Sequence, residues 1–254
     1  MSRYVQLGPV NTWYDEQGTG EPLVLLHPGG ADSRAWQTNI DELATKFRCY
    51  LPDRRGHGRT GDVDGPISYD LMADDTIAFL ERLVTGPAHV IGCSDGATVA
   101  LLTALKRPDL VRRLALVSGV FHHDGWLPGA IDLDAESTEF LSSWYAEVSP
   151  DGGDHYPVVA AKLDRMHRTE PTLTEGDLGR LSVRTLVMVG DDDEVRLEHA
   201  VAMYRALPDG ELAVVPRTSH GLLVEKPALC NAMLLDFLLG GDDPTMAPIR
   251  RRPK

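Results

Sequence analysis

The sequence has little cysteine, a deficit of basic residues and no long apolar run, and each shortage removes a class of function. Its three cysteines, Cys49, Cys93 and Cys230, are odd in number and far apart, so they indicate neither a disulfide framework nor a cysteine zinc site. That usage fits a reducing compartment. Lys and Arg number 25 against 38 Asp and Glu, a formal net charge of -13. Nucleic acid and anionic lipid both require a basic surface, so neither is expected as a partner. The N-terminal MSRYVQLGPVNTWYDEQ has no apolar h-region, and no stretch approaches the roughly 18 apolar residues of a membrane span. A cytoplasmic protein with a small-molecule ligand is the expectation.

What is present is the composition of an ordinary folded domain, 43% hydrophobic and 25% charged over 254 residues. Alternating patterns predict short antiparallel edge strands over Arg3 to Leu7 and Asn11 to Glu16. Continuous apolar runs follow at 22–27, 47–53, 88–93, 112–119, 184–190 and 211–216, the mark of parallel strands buried on both faces. Helical spacing fills 32–47, 69–84, 96–107, 198–207 and 227–240. Right-handed crossovers turn this order into a doubly wound α/β sandwich.

About sixty residues separate the strands ending at Gly119 and starting at Arg184, roughly twice the need of one crossover helix. The expected organisation is therefore a core of 1–120 and 181–240 with an inserted helical cap over 121–180. Trp126, Trp144 and Tyr145 of that insertion are candidate substrate-binding residues. The proline-rich segment 241–254 is expected to be a disordered tail.

The chemistry concentrates in VIGCSDGATVALL, residues 90–102. Gly92-Cys93-Ser94-Asp95-Gly96 matches G-x-S-x-G between a predicted strand and a predicted helix. Such a serine sits on a sharp turn at a helix N-terminus, where free N–H groups favour developing negative charge. Alternatively, Ser94 is a simple helix cap. A nucleophilic serine needs a base, and His220 follows the last predicted strand in TSHGLLVEKP. The base needs an orienting acid, and VGDDDEV follows the preceding strand. The backbone N–H of Asp95, directly after the nucleophile, is one candidate oxyanion donor. Cys93 is expected to pack in the core.

Five patterns in order, HPGG (27–30), DRRGHGRT (53–60), GCSDGA (92–97), GDDDEV (190–195) and SHGLLVEKP (219–227), make the chain resemble the α/β-hydrolase fold superfamily along nearly its whole length. The resemblance implies an eight-stranded, mostly parallel sheet and a Ser-acid-His triad. It selects Asp193 as the acid, with Asp191 and Asp192 as solvated turn residues and Asp124 as the alternative placement. It also assigns the second oxyanion donor to Gly29, with a departure from the usual His-Gly because His27 is followed by Pro28, which has no N–H. His27 and His57 are expected to brace their loops.

The elbow GCSDGA is similar to that of the biphenyl-hydrolase-like and valacyclovir-hydrolase-like branch. This implies that the Asp95 carboxylate pairs with a substrate ammonium; its other reading is a partner of the helix dipole or of a body arginine. The expected function is a serine hydrolase cleaving a small carboxylic ester, lactone or related acyl compound. Alternatives are a C–C bond hydrolase or perhydrolase on the same triad and a non-catalytic receptor of the same fold. No metal or organic cofactor is expected, and Asp62-Val63-Asp64-Gly65 reads as a turn.

Overall fold

The computed structural model describes residues 3–241 and 245–247. The first half of the chain forms β1 (Arg3–Leu7), β2 (Val10–Gln17), β3 (Glu21–Leu26), α1 (Ile40–Leu43), β4 (Phe47–Pro52), α2 (Tyr69–Leu83), β5 (Ala88–Cys93) and α3 (Asp95–Lys106). The second half forms β6 (Val111–Val117), α4 (Ala135–Ala146), α5 (Tyr156–Thr169), α6 (Glu175–Leu178), β7 (Thr185–Gly190), α7 (Leu197–Ala206), β8 (Gly210–Val215), α8 (Leu222–Glu225) and α9 (Pro227–Leu239).

Eight strands form one sheet in the order β1-β2-β4-β3-β5-β6-β7-β8. Pairing is antiparallel for β1 with β2 and β2 with β4, and parallel for every other neighbour. This is the α/β-hydrolase fold expected from the sequence. Of the two predicted antiparallel edge strands, β1 lies at the edge, whereas β2 is interior between β1 and β4. The sheet divides two cores because successive strand side chains point to opposite faces. In β3, Val24 and Leu26 join the core beneath α2 and α3, while Leu23 and Leu25 join the one containing Trp36 and the α9 residues Leu234 and Phe237.

The predicted helix over 32–47 is broken. Its residues form a 3-10 turn at Ser33–Trp36 and then the single turn α1. Local and tertiary bonds override the helical spacing. The Asp32 carboxylate accepts from the backbone N–H of Arg34 at 2.9 Å, and the Ser33 N–H donates to Asp53 at 2.9 Å. The Asn39 side chain donates to Asn231 Oδ1 at 2.9 Å and to the Leu223 carbonyl at 3.2 Å. These partners fix the chain direction where a continuous helix would have to run straight.

Strand β3 is followed in sequence by its neighbour β4 on one side, and β5 lies on its other side. Loops after β3 and β5 therefore diverge from adjacent strand ends, which opens a crevice at the carboxyl edge of the sheet. The crossover from β6 to β7 carries α4, α5 and α6. Most of the predicted tail over 241–254 lies outside the described residues. Among the described residues no helix is long and apolar enough to cross a membrane.

Leu25 is fully buried in the centre of the sheet. Leu25→Ala is expected to cost about 2–5 kcal/mol through lost transfer energy and the cavity left behind. In urea unfolding the midpoint should fall with an unchanged slope; a loss under about 1 kcal/mol would show that the site collapses or was never tightly packed.

Candidate active site

Ser94 occupies the turn between β5 and α3 with φ 55° and ψ -120°. A non-glycine residue at positive φ is strained, and its neighbours show what keeps it there. A Cβ on Gly92 would lie 2.1 Å from the Gly96 carbonyl oxygen, and one on Gly96 would lie 2.1 Å from that of Leu26. Only glycine at both positions lets strand, turn and helix close. The Ser94 N–H donates to the Val117 carbonyl at 2.8 Å, locking the turn to the end of β6.

The loops after β7 and β8 bring two more predicted residues to this turn. Ser94 Oγ lies 3.0 Å from His220 Nε2, and His220 Nδ1 lies 2.8 Å from Asp193 Oδ1. With Nδ1–H donating to the carboxylate, Nε2 is free to accept the serine proton. Asp193 is itself oriented, its Oδ2 accepting from Ser118 Oγ at 2.6 Å and from the Gly190 N–H at 3.0 Å. Burial pushes its carboxyl up, but the His220 and Ser118 hydrogen bonds outweigh this and hold it below the ordinary carboxylate value. Burial also disfavours the charged imidazole of His220. The hydrogen bond and charge of Asp193, with smaller contributions from Glu194 and Asp95, prevail and raise its pKa above the ordinary histidine value. Asp124, the alternative acid, is exposed beside His122 and His123 and does not reach His220.

Gly29 packs directly against the elbow, since a Cβ there would sit 2.1 Å from Asp95 Oδ2. Its loop is held from behind. The buried Arg54 donates through Nη2 to the His27 carbonyl at 2.6 Å and to that of Pro28 at 3.0 Å. The His27 ring donates from Nδ1 to the Pro28 carbonyl at 2.7 Å and accepts at Nε2 from the Arg54 N–H at 3.0 Å. His57 Nδ1 bonds the Arg55 carbonyl at 2.8 Å, and burial depresses its pKa to about 4. Both histidines thus tie their own loops. Cys93 is buried on the core face opposite α3, and burial pushes its thiol up to about 12.

The Asp95 carboxylate is 1% exposed and occupied by the protein. It accepts from the Tyr69 hydroxyl at 2.6 Å and from His167 Nε2 at 2.9 Å. Burial would raise its pKa, but the His167 charge and hydrogen bond, with Arg54 and Tyr69, bring it well below the ordinary carboxylate range. This corrects the expectation that it pairs with a substrate ammonium, because its oxygens already serve a buried internal network. An arginine of the body does face it, as the other reading had it.

A cavity of about 600 Å³ opens over Ser94 and Gly29, walled by Ile131, Leu141, Leu163 and Trp126. Trp126 lies edge-on to His220, ring centres 5.8 Å apart. Trp144 and Tyr145, also predicted to bind substrate, do not line this cavity. Trp144 stacks on the Arg34 guanidinium at 4.2 Å, and Tyr145 donates to Asp151 at 3.2 Å with its ring against Tyr156. Both pack the inserted helices onto themselves and the body. Among the described residues, His122, His123 and Asp124 form one group of donor atoms close enough to hold a metal ion. That group borders a separate depression with Leu127 and Arg196.

Residues 23–233 of the chain match the model of the alpha/beta hydrolase family. The chain belongs to the alpha/beta hydrolase family. This hydrolase is 33% identical over 258 residues to the (E)-2-((N-methylformamido)methylene)succinate hydrolase of Acinetobacter baylyi, covering 94% of this chain and 98% of that one. Among solved structures, the enol-lactonase from Burkholderia xenovorans LB400 matches with a TM-score of 0.75 at 20% identity, covering 93% of this chain and all of that one, 100%. The meta-cleavage product hydrolase from Pseudomonas fluorescens IP01 matches with a TM-score of 0.75 at 21% identity, covering 93% and 97%. Both share the fold.

Sequence reasoning did not find His167, Tyr69, Arg54 or Ser118 in this hydrolase. The spacing of Ala160, Leu163 and His167, three and then four residues apart, does place them on one face of α5, and all three line the cavity. Nothing in the local pattern says that this face meets the elbow.

The Asp95–His167 pair carries a pH-dependent stability. Asp95 has a lowered folded pKa, so its contribution is present above the unfolded value of about 3.9 and lost as pH falls toward the folded one. His167 is raised despite burial because of the Asp95 charge, so its contribution is present below about 6.5 and lost as pH rises through the folded value. Asp95→Asn leaves the buried Arg54 without its facing carboxylate and lets burial neutralise His167, and should cost about 3–5 kcal/mol near pH 6. In urea titrations the gap to wild type should narrow from pH 6 to pH 9. A gap under about 1 kcal/mol, or one independent of pH, would contradict the pairing.

Proposed function

We propose that this hydrolase works by acyl transfer through Ser94 on a small carboxylic ester, lactone or related acyl compound. The observation that carries the reading is the hydrogen-bonded line from Ser94 Oγ through His220 to Asp193, set on the strained turn at the floor of the cavity. Ser94 Oγ attacks the acyl carbonyl while His220 Nε2 takes its proton and then delivers it to the leaving group. Water, activated by the same histidine, releases the acid. Asp193 holds the imidazole tautomer and stabilises the imidazolium.

The backbone N–H groups of Gly29 and Asp95 are the proposed oxyanion donors. The Asp95 N–H belongs to the first turn of α3, where a helix leaves its N–H groups without internal acceptors. Each donor of this kind contributes about 3 kcal/mol to the transition state. The helices inserted between β6 and β7 act in this reading as a cap that shapes the acyl pocket and excludes water.

On p-nitrophenyl acetate and butyrate, Ser94→Ala should lower kcat by about 10⁴-fold or more. Retained turnover in that variant would remove the serine mechanism, and absence of turnover by folded wild type would favour the receptor alternative. The base must be neutral to act, and Asp193 and Glu194 hold His220 above the ordinary histidine value. The rate, kcat/KM, should therefore rise with pH through an inflection above about 6.5. A profile flat from pH 5 to 8 would contradict a histidine base.

A further inference from the structure

With Asp95 occupied by Tyr69 and His167, the carboxylate left beside the reacting atoms is Glu194. Its side chain is half exposed, lines the cavity, and places Oε2 3.9 Å from His220 Nε2. Among the described residues no lysine or arginine is paired with it. Its position is built rather than incidental. The Leu127 N–H donates to the Glu194 carbonyl at 2.8 Å, the Arg196 N–H donates to the Gly125 carbonyl at 2.9 Å, and Trp126 and Val195 form an antiparallel bridge. This short pairing ties the two segments together, and the Trp126 ring and the Glu194 carboxylate both line the cavity and lie close to His220.

Nε2 of His220 is the atom that, on the proposed mechanism, hands a proton to the departing oxygen. Groups flanking Nε2 on the cavity side therefore flank the leaving group. A carboxylate and an aromatic ring bordering the same cavity attract the same kind of ligand, a cation, one by its full charge and the other by its ring quadrupole. The mouth adds to this field. Arg168 bridges Asp132 and Asp164, each at 2.8 Å, so with Glu194 three carboxylates there face one guanidinium.

We propose that Glu194 and Trp126 form a leaving-group subsite for a positively charged ammonium, so that the favoured substrates are esters of amino alcohols. The proposal rests on the acyl-transfer reading of Ser94. In the first half-reaction the bond between the acyl carbon and the amino-alcohol oxygen breaks, and that oxygen takes the proton His220 removed from Ser94. The cationic amino alcohol departs. Water then adds to the acyl-enzyme and restores Ser94, so the net consumption is one ester and one water. No other reactant is needed.

The test compares choline esters with 3,3-dimethylbutyl esters of the same short acids, pairs that differ by a quaternary nitrogen in place of a carbon. The readout is the ratio of kcat/KM within each variant, which cancels any general change in turnover. Wild type should favour the cationic ester about tenfold at low ionic strength, and the preference should shrink at roughly 0.5 M salt. Glu194→Gln should bring the ratio to about one, and Trp126→Leu should lower it several-fold. A wild-type ratio of one or less, or a ratio unchanged in Glu194→Gln, overturns the subsite while neutral-ester turnover leaves the serine reading intact. Failure of wild type to turn over either ester or any p-nitrophenyl ester overturns both.

Discussion

The turn at Ser94 is the constraint on which the rest of the site depends. A serine at φ 55° costs of order 1–3 kcal/mol locally, and the cost is borne by a sheet whose central strands are buried along their length. Gly92 and Gly96 admit the close passage of strand and helix, and the Ser94 N–H is spent on the end of β6. Because the turn is fixed from both sides, the hydroxyl has one direction in which to point. The loops after β7 and β8 need only deliver Asp193 and His220 to that direction.

Two carboxylate–imidazole pairs then meet at the elbow with different roles. In the first, Asp193 and His220 meet along the line to Ser94, with Ser118 and the Gly190 N–H holding the carboxylate in place. In the second, Asp95 and His167 are joined by Tyr69 and faced by Arg54, and this network lies under the loop that carries Gly29. Arg54 also holds the carbonyls of His27 and Pro28. The helix α5 is thereby tied to the same turn as Ser94. The inserted helices and the sheet edge share one electrostatic anchor, so the cavity wall and its floor are positioned together.

The sheet was legible because its signal is local. Strands such as 88–93, buried on both faces, show as nearly continuous apolar runs, here broken only by His89, and the G-x-S-x-G turn has few sequences that satisfy its geometry. The segment 32–47 misled for the opposite reason: its helical spacing is real, but Asp53, Asn231 and the Leu223 carbonyl reach it from distant parts of the chain. The side chain of Asp95 was ambiguous because its partners, Tyr69 and His167, lie 26 and 72 residues away. Trp126 fell on the cavity while Trp144 and Tyr145 did not, since an aromatic in an inserted helix packs equally well inward on its neighbours. Composition names the candidates; only the path of the chain selects among them.

The most direct test of the account is active-site titration with a fluorophosphonate, read by intact mass and peptide mapping on wild type and Ser94→Ala. An activated serine predicts one adduct per chain, mapped to Ser94 and absent from the variant. Folded wild type that takes up no adduct, or takes it up at another residue, would contradict the central claim that the strained turn, His220 and Asp193 together make Ser94 the nucleophile.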